Sequence, residues 1–222
     1  MDRIILFHGS TKIVTSPYYG GGDSCSDYGN GFYCTRDLNA AKEWANKKTS
    51  HGFANKYSFD GRGLKILDLT DKSKYSVLHW ISILMHYREL SPAFKEDYQR
   101  ELEYLDKHYY INISDYDVVI GFRADDSYFT FPLMFVEGEI RLERLEDIYH
   151  LGYLGEQVAI ISEKAYTRLS FIEAREVEPI YKEKYATRIA VADSRFKEIA
   201  KSEKWLKGTR IKDLVSKDDK GQ

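Results

Sequence analysis

The sequence is poor in cysteine and proline. Its 222 residues include two cysteines and four prolines. Neither Cys25 nor Cys34 has a histidine or cysteine at zinc-site spacing, so neither a disulfide framework nor a structural zinc site is expected. The low proline content and the lack of a low-complexity tract argue against a flexible string of domains. We therefore expect a reduced, cytoplasmic protein without a structural metal.

Long apolar runs are lacking as well. Stretches such as Val118-Val119-Ile120 are far too short to cross a bilayer. The amino-terminal residues turn polar at His8, which is not the pattern of a signal peptide. Hydrophobic residues nevertheless make up 43% of the chain and aromatic residues 14%, which is enough for a real core. These features predict a folded protein that does not enter a membrane.

Charge is distributed unevenly along the chain. The formal net charge is −2. Residues 181–222 contain 12 Lys and Arg against 7 Asp and Glu, a local net charge of +5, so the rest carries −7. We therefore divide the chain into a domain over residues 1–180 and a basic helical carboxy-terminal extension over residues 181–222.

Apolar patterns predict short strands and helices in irregular alternation. Strands are expected at 3–8, 32–35, 57–60, 64–69, 117–121, 157–162 and 173–180, and helices after Asp37, on either side of Ser91-Pro92 within 74–104, and at 142–148. Residues 129–136 fit either a strand or a helix. No regular strand–helix–strand rhythm is present, so the predicted fold class is α+β.

Two segments suggest more than a fold. Phe7-His8-Gly9-Ser10 precedes a run from Asp27 to Thr35 (sequence DYGNGFYCT), which is followed by Ala40-Ala41-Lys42-Glu43-Trp44. Taken singly, His8 would be a structural histidine, Tyr33 a core residue and Asp27 to Gly31 a turn. Their order, together with the strand at Gln157, resembles the NAD site of the ADP-ribosyltransferase superfamily. The branch it resembles is that of diphtheria toxin and poly(ADP-ribose) polymerases.

The resemblance covers roughly residues 5–178. It also extends to a family of uncharacterised bacterial proteins with this transferase fold. It implies an ADP-ribosyltransferase-like fold of mixed short β-strands with helical insertions and a carboxy-terminal helical extension. NAD is then the co-substrate.

The residue types in these motifs suit a dinucleotide. The His8 ring can bond a ribose hydroxyl, Gly9 lets its backbone approach a carboxamide, and Tyr33 can stack on a nicotinamide ring. The resemblance assigns His8 to the adenosine ribose, Gly9 to the carboxamide and Tyr33 to the nicotinamide. It places Ser10 in the NAD-binding motif and Trp44 where a second stacking residue is often found.

One position departs from the family. A strand-borne glutamate is expected there, and this chain has Gln157, preceded by Glu156. Side chains alternate across a strand, so only one of the two can face the site, and the sequence leaves open which. Glutamine bonds a ribose but carries no charge, so single transfer is expected rather than polymer formation. Arg123, Asp125 and Asp126 either orient substrate or form a solvated loop.

We therefore expect a mono-ADP-ribosyltransferase, a toxin of a bacterial toxin–antitoxin or phage-defence system, with an antitoxin protein as one partner. The alternatives are an NAD glycohydrolase and a non-catalytic NAD-binding module. The basic extension interleaves lysines with Trp205, which favours RNA or DNA over protein as the acceptor.

Overall fold

Seven strands form two small sheets in the computed structural model, which describes residues 1–124, 130–149, 151 and 155–221. The strands are β1 (Arg3–Ser10), β2 (Phe32–Cys34), β3 (Phe53–Asp60), β4 (Ile66–Asp68), β5 (Val118–Phe122), β6 (Glu156–Ile160) and β7 (Leu169–Glu176). One sheet has the order β1-β3-β7 and is antiparallel. The other has the order β2-β6-β5-β4, in which only the β4–β5 pair is parallel.

Helices surround the two sheets. They are α1 (Leu38–Ala45), α2 (Val77–Tyr87), α3 (Pro92–Asp97), α4 (Gln99–Tyr109), α5 (Thr130–Val136), α6 (Leu142–Tyr149), α7 (Glu163–Tyr166), α8 (Ile180–Ala200) and α9 (Ile211–Asp219). The predicted α+β class is confirmed. In the described parts of the chain, no helix is both long and apolar enough to span a bilayer.

Local sequence signals explain where the helices begin. The Asp37 carboxylate accepts a hydrogen bond from the Asn39 backbone N–H at 2.7 Å, which caps α1. Ser91 caps α3 through the Phe94 N–H at 3.2 Å, and Pro92 occupies the first turn, where its missing N–H costs nothing. The predicted break at Ser91-Pro92 is therefore confirmed.

Two sequence-based expectations are resolved by the structure. The segment that fitted either a strand or a helix is helical over Thr130–Val136, and Phe129 lies outside the described residues. The last strand, expected over residues 173–180, instead spans Leu169–Glu176. Its partner β3 begins at Phe53, which pairs with Glu176, and one further hydrogen bond, from the Val177 N–H to the Gly52 carbonyl oxygen at 2.8 Å, ends the pairing.

The two sheets meet along a shared apolar core and a single bridge. Phe7 of β1 exchanges both backbone hydrogen bonds with Thr35, the residue after β2, at 2.8 and 2.9 Å. Below this bridge a core cluster joins both sheets and α7; it contains Leu6, Cys34, Phe59, Val118, Ile120, Val158, Ile160, Ala165 and Tyr166. The buried Cys34 is thus a core residue.

The carboxy-terminal extension packs on the rest of the chain. Ile189, Phe196, Ile199 and Ala200 of α8 contact the largest core cluster, and Ala192, Ile211 and Val215 belong to it. Trp205 also belongs to this cluster, is 7% exposed and meets Phe196 edge-on at 5.4 Å. Trp205 was part of the pattern that favoured a nucleic-acid acceptor, but its ring packs in the core and is therefore not available to stack on a base.

Candidate functional site

A cavity lies where β1, β2, α1 and β6 converge. Its volume is about 720 Å³ including the solvent at its mouth. Five of the predicted site residues line it: His8, Gly9, Tyr33, Trp44 and Gln157. They come from four separate elements. The sequence showed only their order along the chain, and the fold brings them together.

The His8 ring is fixed by a backbone contact. Its Nδ1 lies 2.7 Å from the Tyr33 carbonyl oxygen, and a carbonyl can only accept, so Nδ1 carries the proton. Burial lowers the pKa of His8, with Arg123 acting in the same direction and the bond to Tyr33 against it. The neutral ring therefore offers Nε2 as a hydrogen-bond acceptor.

Gly9 is required by close packing between β1 and α1. A Cβ at this position would lie 2.0 Å from the Ala41 carbonyl oxygen and 2.7 Å from the Ala45 nitrogen. Residues two apart in a strand direct their backbone groups to the same edge. Phe7 directs its groups towards Thr35, so Gly9 directs its own N–H and C=O to that edge, beside the cavity. The sequence interpretation named ligand approach for Gly9; the helix contact is a second, independent reason for a glycine.

The Tyr33 side chain is a fixed wall of the cavity. Its hydroxyl donates to the Gly29 carbonyl oxygen at 2.6 Å and accepts from the Tyr28 N–H at 3.0 Å. Burial raises the pKa of Tyr33 well above its usual value, so the phenol stays protonated at neutral pH. The ring, and not an ionised oxygen, is what Tyr33 contributes.

Two arginines give the cavity a positive side. The Arg123 guanidinium stacks on the Trp44 ring at 3.9 Å from its centroid. Arg88, which ends α2, also lines the cavity. The Trp44 side chain is 36% exposed, so this stacked pair lies at the opening. Asp125 and Asp126, named beside Arg123 from the sequence, lie outside the described residues.

The alternation along β6 decides between its two polar residues. Gln157 is 5% exposed and lines the cavity, whereas Glu156 is exposed and is not among the described residues that line it. Ser10 is also outside the lining described; its hydroxyl accepts the Lys12 N–H at 3.2 Å and closes the turn after β1.

Asp27, like Arg88, is a cavity residue that the sequence did not predict. It is 6% exposed, and its Oδ2 accepts from the Ala124 N–H at 2.9 Å and from Gln157 Nε2 at 2.8 Å. Its Oδ1 lies 3.5 Å from Arg88 Nη1. Burial raises the pKa of Asp27 to about 6, against the hydrogen bonds and the arginines, which lower it. In the sequence, Asp27 is an acidic residue at the start of a glycine-rich segment, and that segment predicted only a turn.

Comparison with protein families assigns the chain to a family. A family described as "Protein of unknown function (DUF3990)" matches residues 4–171. The chain belongs to this family. No curated protein and no solved structure matches it.

The DUF3990 region contains every residue that lines the cavity. It ends within β7, so α8 and α9 lie beyond it. Within the described ranges, no three histidine, cysteine or acidic side chains are grouped so that they could hold a metal ion. The polar side chains that line the cavity carry imidazole, amide, carboxylate, guanidinium and hydroxyl groups.

Proposed function

We propose that this protein is an NAD-dependent mono-ADP-ribosyltransferase with an ADP-ribosyltransferase-like fold. The observation that carries the proposal is the convergence of His8, Gly9, Tyr33, Trp44 and Gln157 on one cavity. These are the residues on which the sequence resemblance rests, and they come from β1, β2, α1 and β6.

The cavity offers a partner to each part of the nicotinamide half of NAD. The N–H and C=O of Gly9 suit the carboxamide, which needs one acceptor and one donor. The Tyr33 ring suits the flat nicotinamide. Arg88 and Arg123 suit the pyrophosphate, because guanidinium groups bind phosphate oxygens bidentately.

A second cavity supports a ligand of dinucleotide length. Its volume is about 750 Å³ including the solvent at its mouth, and it shares His8 and Tyr33 with the first. Its other walls include Tyr18 and Gly22 from the loop after β1, and Tyr166 of α7. Acceptance of a ribose hydroxyl by His8 Nε2 fits this position, because His8 stands between the two cavities. The adenosine half of NAD would extend into the second one.

The reaction breaks the bond between the nicotinamide nitrogen and ribose C1′. Nicotinamide leaves with the bonding electron pair, and positive charge develops on the ribose. An acceptor atom then attacks C1′ and loses its proton to solvent. NAD and the protonated acceptor thus give ADP-ribosyl acceptor, nicotinamide and a proton. Because Gln157 cannot act as a general base, transfer of a single unit follows rather than chain growth.

The proposed acceptor is RNA or DNA, and the proposed setting is a toxin neutralised by an antitoxin protein. Exposed basic residues on the carboxy-terminal extension support the first part; they are Lys197, Lys201, Lys204, Lys207, Arg210 and Lys212. Modification of an essential acceptor, or depletion of NAD, would stop growth. Expression of the wild-type chain without a neutralising partner is then expected to be toxic.

The test is turnover of labelled NAD by the purified chain in a cell lysate. Wild-type protein is expected to release nicotinamide and to label a macromolecule. His8→Ala and Tyr33→Ala are each expected to lower turnover roughly 100-fold or more, since each removes a contact to NAD. His51→Ala is the matched control, because His51 is an exposed histidine paired with Glu176 outside the cavity. Circular dichroism confirms that each variant is folded.

The outcomes separate the alternatives. Nicotinamide release without a labelled macromolecule indicates an NAD glycohydrolase. Binding without release indicates a non-catalytic module. Near-wild-type turnover by a folded His8→Ala or Tyr33→Ala protein would show that the chemistry takes place elsewhere.

A further inference from the structure

Gln157 stands where the resemblance implies a catalytic glutamate, yet its amide is not free to rotate. Its Nε2 donates to Asp27 Oδ2 at 2.8 Å and to the Phe122 carbonyl oxygen at 3.2 Å. Both partners are pure acceptors, so only the NH₂ end of the amide can face them. Both N–H groups are thereby used, which leaves Oε1 as the acceptor end of the amide, and the Tyr28 hydroxyl also lies beside this amide.

The partners of Gln157 are themselves held in place. The Phe122 carbonyl oxygen also accepts from Trp80 Nε1 at 3.1 Å and from the Tyr28 hydroxyl at 2.9 Å. Asp27 is held by the Ala124 N–H and faces Arg88. Its Oδ1 is buried and makes no hydrogen bond among the described residues, although Arg88 Nη1 lies 3.5 Å away, so the carboxylate is shielded from water and its charge acts strongly on its neighbours.

We propose that Asp27 is a positioning residue for Gln157, holding its amide so that only the carbonyl oxygen faces a ligand hydroxyl, while the carboxylate charge strengthens that oxygen as an acceptor. The ligand hydroxyl is that of the nicotinamide ribose, so this inference rests on the proposed function. Asp27 and Gln157 together then supply the aimed negative charge that a glutamate would supply alone.

The raised pKa of Asp27 makes the pair sensitive to pH. Its pKa is about 6, so the carboxylate is charged above that pH and neutral below it. Turnover is therefore expected to fall as the pH drops through about 6. The titratable or charged groups that face Asp27 are His8 of β1, Tyr33 of β2, Tyr28 beside it, Arg88 after α2 and Arg123 after β5. Burial lowers the pKa of His8, and the variant Asp27→Asn, which removes only the Asp27 titration, distinguishes the two groups.

The direct test is Asp27→Asn, which keeps the shape of the side chain and removes its charge. The expected result is a kcat lowered roughly 10- to 100-fold, because a hydrogen bond to a charged group becomes a neutral one. The Kd for NAD is expected to stay within about twofold, and the loss of turnover below pH 6 to disappear. Asp60→Asn is the control, since Asp60 pairs with Arg62 away from the cavity.

A measurement on the wild-type protein keeps the test independent of whether Asp27→Asn folds. The side-chain NH₂ resonances of Gln157 are expected to shift between pH 5 and 7 with a midpoint of about 6. Unchanged turnover in folded Asp27→Asn, or NH₂ resonances that do not titrate, would overturn the inference. A wild-type protein that releases no nicotinamide overturns the proposed function instead, and the resonances then decide separately whether Asp27 holds Gln157.

Discussion

Single residues in this site serve the fold and the cavity together. Gly9 leaves room for α1 and also directs its backbone groups beside the cavity. Tyr33 forms a wall and, through its hydroxyl, fastens the turn at Tyr28 and Gly29. Its loss would therefore disturb local structure as well as ligand contact. A substitution at either position needs a stability measurement beside the activity measurement.

Replacement of Gly9 by alanine tests the packing requirement. The added Cβ would meet backbone atoms of α1, which cannot rotate away as a side chain can. We expect Gly9→Ala to lower the free energy of unfolding by ~1–3 kcal/mol, as overpacking does elsewhere, and to weaken NAD binding. Gly63→Ala is an informative comparison: its Cβ meets nothing within 4 Å, and its cost comes from a positive φ of 71° alone. Chemical denaturation measures both, and an unchanged stability for Gly9→Ala would contradict the packing account.

The sequence located those site residues that belong to continuous motifs. His8, Gly9, Tyr33 and Trp44 each sit in a short run whose order carried the information. The contact between Asp27 and Gln157 spans 130 positions, and that of Arg88 with Asp27 spans 61, so no local pattern records them. Which of Glu156 and Gln157 faces the cavity depended on strand register, which is set by pairing with β5 and not by the two residues themselves.

At the scale of elements, α8 supports α1. The Arg188 Nε lies 2.6 Å from Glu43 Oε2, and both side chains are 17% exposed. The Tyr181 hydroxyl donates to Asn39 at 2.9 Å. Since α1 carries Trp44, a helix outside the family region holds one wall of the cavity in place.

Removal of the ion pair between the two helices tests this support. Arg188→Ala leaves the Glu43 carboxylate largely buried without its partner, so we expect a loss of ~1–3 kcal/mol in the free energy of unfolding. We also expect a higher KM for NAD, with kcat changed less, because Trp44 becomes less firmly placed. Lys182→Ala, an exposed position on the same helix, is the control. An Arg188→Ala protein with normal stability and normal KM would show that α8 does not support the cavity.

Helix starts and strand cores were predictable because their causes are local. Asp37 and Ser91 cap the helices that follow them, and apolar runs form the strands. The end of β7 was not predictable from local sequence. It depends on the start of its partner strand β3, which lies more than a hundred residues earlier in the chain. The helix at Thr130–Val136 could not be predicted either, because a short apolar run fits the periodicity of a strand as well as that of a helix.

At the scale of the whole molecule, the carboxy-terminal extension is a structural part of the chain and a basic surface together. Its apolar residues, Trp205 among them, lie in the largest core cluster, while its lysines are exposed. A chain truncated near Pro179 would therefore lose residues of the core, and its labelling pattern would not show whether the extension selects the acceptor. A test of acceptor choice must therefore change the charge of the extension and leave its apolar residues in place.

The last prediction replaces Lys197, Lys201, Lys204 and Lys207 together by glutamine. These side chains are exposed, so the fold is expected to persist. With Trp205 buried, the surface can act only through phosphate neutralisation, and labelling of a nucleic-acid acceptor should fall and lose part of its salt dependence. Nicotinamide release from NAD alone should not change, since these lysines do not line the cavity. The control replaces Lys65, Lys72, Lys95 and Lys164 by glutamine, which removes the same number of positive charges from other parts of the surface. Label that resists nuclease but not protease, and that survives the first replacement, would identify a protein acceptor instead.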